Sequence, residues 1–211
     1  MRLPFSQQQF LDVFGEYNRH LWPVSFLLWL AALFALEPII RRGRPGRRTG
    51  ALLAVLWAWS GIAYHWVFFS RINPLARVFA GLFLVQAIAL AIVSMRRSLT
   101  FTLEKSPRHV AGVFLMLYAM AYPLLAVAEG HTYPRVPTFA VPCPTLLLTA
   151  GLLLCASPRA PRRLLVIPIF WAVVGGSAAL LLGMRVDFML LVAGVLLLAL
   201  AVAPARTPAR A

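Results

Sequence analysis

The sequence predicts an all-α, polytopic transmembrane helix bundle of seven spans, N-terminus outside, with an N-terminal interfacial amphipathic helix. Three observations carry this. The 211 residues are 61% hydrophobic and only 12% charged, whereas a soluble domain carries about 25% charged residues. Mean hydropathy is +0.81. Seven apolar runs, most near the roughly 17–25 residues needed to cross a bilayer, alternate with short arginine-rich links.

Residues 1–20 are too polar to span. Ser6 and Gln9 have capping-box spacing. Phe10, Val13, Phe14, Tyr17 and Leu21 then share one helical face, away from Asp12, Glu16 and Arg19. The segment reads as an interfacial helix, or equally as one packed on the protein's own surface. A first span covers 21–40, with Pro23 in its first turn. No cleaved signal peptide is expected, because acidic residues precede this run in place of a basic region.

RRGRPGRR (Arg41 to Arg48) leads into a second span, 50–69, which ends in the aromatic cluster YHWVFF, typical of a membrane interface. SRINP turns the chain into a third span, 75–95. SLTFTLE alternates apolar and polar residues and weakly signals a short strand. The fourth span is 109–128. EGHTYPRVPTFAVPCPT (Glu129 to Thr145) follows, and its four prolines exclude a regular helix or central strand.

The fifth run, 142–156, reaches about 22 Å of a hydrocarbon core roughly 30 Å thick. The proline-rich stretch is therefore expected to dip inward against the ends of spans two, four and six. Spans six (164–182) and seven (188–203) complete the domain 21–203, and a disordered tail is expected at 204–211. On span six, Ala172/Gly176 and Gly175/Ala179 are small residues four apart, a pattern that lets helices approach closely.

The formal net charge of +14 is topological rather than a nucleic-acid footprint. Fourteen of the 20 basic residues fall in the links after spans one, three and five and in the tail, against six on the other side. The positive-inside rule then places the C-terminus in the cytoplasm. Cys143 and Cys155 are too far apart along a helix to bridge.

No Asp, Glu, Lys, Arg or His lies near the middle of a span, which disfavours a transmembrane proton path. Polar side chains collect at the outer ends instead. The candidate binding set is His65, Arg71, Asn73, Glu129, His131, Tyr133, Thr138, Cys143 and Asp187. His65, His131 and Cys143 offer donors suited to a transition metal such as Zn²⁺ or copper, although no compact metal motif is present. No other cofactor is implied. Cys143 opens a helix, where the dipole stabilises a thiolate. No phosphate loop, nucleophile elbow or dinucleotide fingerprint occurs, so no catalytic residue is assigned and enzymatic activity is not favoured.

YHWVFFSRINPLA, GHTYPRVPTFAVPCPT and FWAVVGGSAALLLGMRVD resemble recurring segments of a family of small bacterial integral membrane proteins of unknown function. The resemblance covers nearly the whole chain. It implies a multi-pass protein of the bacterial inner membrane, and carries no activity or substrate. Beyond the lipid bilayer as partner, three readings follow. The first binds or passes a small ligand or metal ion at an outer-face cavity under the 129–145 loop. The second is a non-catalytic subunit scaffolding a membrane partner or a second copy. The third is an outer-face thiol or metal enzyme.

Overall fold

The computed structural model describes residues 3–42, 46–96 and 99–203. The predicted tail, Arg97 and the centre of the arginine-rich link (43–45) lie outside these residues. The elements are almost entirely helical: α1 (Gln7–Arg42), α2 (Gly46–Trp59), a π-helical segment (Ser60–Phe68), α3 (Ala76–Met95), α4 (Pro107–Ala128), α5 (Pro142–Leu154), α6 (Val166–Leu182) and α7 (Met189–Val202). Six helices are long and apolar enough to cross a membrane; α5 is shorter.

The first expectation to change is the break at residue 20. Helix α1 is continuous over 36 residues, or about 54 Å, so Pro23 lies well inside it. The predicted capping box starts it: Ser6 N–H donates to Gln9 Oε1 at 2.8 Å and Gln9 N–H to Ser6 Oγ at 3.2 Å. The amphipathic stripe is seated on the protein itself. Phe14 stacks on Tyr64 at 5.4 Å, Tyr17 meets Phe68 edge-on at 5.7 Å, and Phe5 meets Phe69 at 5.3 Å. Each such pair adds about 0.5–1.5 kcal/mol beyond area burial. With that face docked, nothing demands a kink between surface helix and span.

Helix α5 is the centre of the bundle: all 13 of its residues are buried. It reaches about 20 Å, and the chain on either side makes up the length. Val136, Phe139, Ala140 and Val141 are buried at its start, so the proline-rich stretch does dip inward. At the other end Cys155 accepts from Thr102 N–H at 3.0 Å. There Ala156–Ser157 forms a two-stranded antiparallel ladder (β2) with Thr100–Phe101 (β1), in the register Thr100↔Ser157. The weak strand signal in SLTFTLE therefore corresponds to a real pair.

Close backbone approach fixes α4 against α5. A Cβ on Gly151 would lie 2.6 Å from Gly112 O, and one on Gly112 would lie 2.7 Å from Gly151 O. The small residues of α6 serve the same purpose internally. A Cβ on Gly176 would fall 2.4 Å from Leu191, one on Gly175 3.0 Å from Leu190, and one on Gly194 2.9 Å from Ala172. The stripe is consumed by α7 rather than left for a partner. One buried polar pair lies along the axis: Trp57 Nε1 donates to Thr149 Oγ1 at 2.9 Å, which donates to Thr145 O at 2.7 Å.

Candidate functional site

The proline-rich stretch is held by three side chains from two elements. Asn18 on α1, fully buried, donates to Pro134 O at 2.6 Å and Val136 O at 2.7 Å, and its Oδ1 accepts from Thr138 Oγ1 at 2.9 Å. Asp12 pairs with Arg135 at 2.7 Å in a half-exposed bridge. Ser60, at the start of the π-helical segment, donates to Ala140 O at 2.9 Å. Ala140 is in the left-handed region, φ 67°. The stretch thus docks on α1 and the second helix, where the length argument named spans two, four and six. Asn18 went unnoticed in the sequence; its one signal is an amide four residues beyond Phe14, on the edge of the aromatic stripe.

Below this cap lies a cavity of about 430 Å³. Its walls come from the N-terminal part of α1, the π-helical segment and the turn after it, the start of α5, one face of α6 and the turn before α7. Most of the wall is apolar. Asn73, Cys143 and Asp187 supply polar side chains, and Trp171 and Tyr64 supply aromatic surface. The volume is in the range of small-molecule sites, roughly 300–1,000 Å³.

Asp187 is 3% exposed. Two neighbouring helix faces converge on it. Tyr122 of α4 donates its hydroxyl to Asp187 Oδ1 at 2.5 Å, and Cys143 lines the same cavity. Tyr118, one turn earlier than Tyr122, donates to Val186 O at 2.9 Å. These two tyrosines anchor the turn before α7 (Arg185–Phe188). Their one-turn spacing in α4 is legible, but their target, more than 60 residues away, is not.

Of the nine predicted residues, Asn73, Cys143 and Asp187 meet at the cavity, and Thr138 holds the cap through Asn18. Glu129 and Tyr133 are exposed and His131 is half-exposed. Arg71 is exposed, donates to Val67 O at 3.0 Å and lies 5.0 Å over the Phe68 ring. Among the described residues no three His, Cys, Asp or Glu side chains are placed to hold a metal ion. His65, His131 and Cys143 are therefore not gathered into one centre.

His65 is enclosed by rings rather than by ligands. Its exposure is 0%, with Phe83 at 4.7 Å and Trp171 at 4.9 Å, and neither ring nitrogen has a partner among the described residues. Replacing an unsatisfied buried polar group by an apolar one of similar shape is nearly neutral or stabilising. His65→Leu is therefore expected to leave the unfolding midpoint unchanged or to raise it, as read by differential scanning fluorimetry in detergent.

Cys143 is only 8% exposed and faces a carboxyl, so the helix-start thiol is not presented to water. A polar, membrane-impermeant maleimide is expected to leave it unmodified in the native protein and to modify it after denaturation, read by intact mass.

Among the described residues, fold and site define a helical chain with six helices apolar and long enough for a membrane, wrapped around a short buried helix, with an apolar cavity that holds a buried acid. The chain belongs to DUF6064, a family of unknown function whose profile matches residues 7–211. No curated protein and no solved structure matches it.

Proposed function

We propose that the chain is a seven-span protein of a bacterial inner membrane, N-terminus outside, that binds a small, largely apolar ligand in its outer half. The single observation that carries the ligand reading is the cavity of about 430 Å³, apolar-walled and bearing Asn73, Cys143 and Asp187. A pocket with few, convergent polar groups is the usual form of a small-molecule site. The seventh span is supported by α5. It starts beside the cavity and ends at the β1–β2 ladder, so the chain reverses direction at each of its ends. The arginine asymmetry between the two ends supports the orientation, and the family resemblance supports the bacterial membrane.

The scaffold reading loses the support of the α6 stripe, which packs on α7. The thiol-enzyme reading loses an accessible nucleophile.

The test uses purified protein in lipid nanodiscs and 12-bromododecanol, a neutral amphiphile whose bromine quenches tryptophan on contact. Trp171 lines the cavity, so a Trp171→Phe variant serves as the blank for the other five tryptophans. Saturable quenching of the Trp171 component is expected. Quenching that grows linearly with partitioned probe, with no saturation, would contradict the reading.

A further inference from the structure

Resting on that ligand reading, we infer that the cavity selects a lipophilic cation, an alkylammonium-type head on an apolar body, with Asp187 as its counter-charge. Three observations converge. First, among the described residues Asp187 is the only Asp, Glu, Lys, Arg or His in the cavity wall. The nearby arginines are engaged elsewhere: Arg71 lies over Phe68, Arg77 over Trp66, and Arg185 is exposed. A buried carboxylate is costly unless paired and hydrogen-bonded, and the described wall supplies a hydrogen bond but no cation.

Second, the carboxyl is held and left open. Tyr122 is its hydrogen-bonding side chain among the described residues, against about four acceptor sites on a carboxylate. The acid is thus oriented by α4 and keeps acceptor capacity to spare. A ligand presenting a second carboxylate or a phosphate would meet like charge.

Third, the remaining wall is aromatic where a cation head would lie. Phe14, Tyr64, Phe69 and Trp171 all line the cavity. Tyr64 stacks on Phe69 at 5.6 Å. Ring faces attract ammonium groups, most strongly out of water. An acid in a wall that also holds aromatic rings and the apolar Val173, Val174 and Leu181 of α6 matches the chemistry of an amphipathic cation.

The experiment compares three brominated twelve-carbon probes in the same nanodiscs: the trimethylammonium, the alcohol and the sulfate. Each is read as the saturable Trp171 component. The ammonium probe is expected to bind about tenfold or more tightly than the alcohol, with the sulfate weakest. In Asp187→Asn the ammonium advantage is expected to vanish while alcohol binding persists, which also shows that the variant is folded. Equal binding of all three, or an ammonium advantage that survives Asp187→Asn, overturns the cation assignment and leaves the cavity reading standing. Failure of every probe to saturate removes both.

Discussion

Gly151→Ala is expected to destabilise the bundle by forcing α4 away from α5. The new Cβ would sit 2.6 Å from Gly112 O and 2.9 Å from Met116 N, both backbone atoms of α4. No side-chain rotamer can relieve that contact, so α4 must move. Overpacking costs typically about 1–3 kcal/mol, and a two-sided backbone clash belongs at or above the top of that range. Movement of α4 also displaces Tyr122 from Asp187, which couples the defect to the cavity. Gly81→Ala is the control. It is exposed on α3, nothing lies within 4 Å of its added Cβ, and Ala is favoured over Gly in a helix by about 1 kcal/mol. Equilibrium unfolding in mixed micelles should therefore separate the two variants in opposite directions. An unchanged midpoint for Gly151→Ala would mean that α4 and α5 are not packed backbone to backbone.

Asn18→Leu is expected to release the cap. It removes two donors from the carbonyls of Pro134 and Val136 and the acceptor of Thr138. Leaving a buried polar group unpaired costs about 1–3 kcal/mol, and three groups are affected together. The expected readout is local: faster hydrogen exchange over 131–141 and new proteolytic cleavage at Arg135. Exchange within α5 should stay slow, because that helix is buried on every side. Asp12→Asn breaks only the half-exposed bridge to Arg135, worth about 0–1 kcal/mol, and should change neither readout. Equal protection of 131–141 in Asn18→Leu would show that the cap is held by its buried apolar side chains alone.

The helices were legible because apolar runs and arginine links mark them directly. The inward turn of the proline-rich stretch was legible from a length argument: a fifth run too short for the core needs chain at its end. What escaped was direction. YHWVFF reads as an interface belt, yet Tyr64, His65, Phe68 and Phe69 are buried while Trp66 and Val67 are exposed. Lipid tails and a protein core are equally apolar, so composition does not tell an inward ring from an outward one. The same ambiguity hid the use of the α6 glycines. Asn18 was hidden for another reason. Its partners lie 116–120 residues away, and one amide on a helix edge carries no trace of them. Three of the polar residues converge for a simple reason: polar residues gather at helix ends, and Asn73, Cys143 and Asp187 belong to three ends that meet.

The central claim is that these ends enclose a site that holds a molecule. Native mass spectrometry of the full chain, released from its own membrane in mild detergent, tests it most directly. The account predicts a bound species of a few hundred daltons that remains with the wild-type chain. It should be absent from Ala178→Trp, in which a bulky ring fills the cavity from the α6 wall. A wild-type spectrum with no adduct beyond detergent, or the same adduct on Ala178→Trp at the same occupancy, would contradict it.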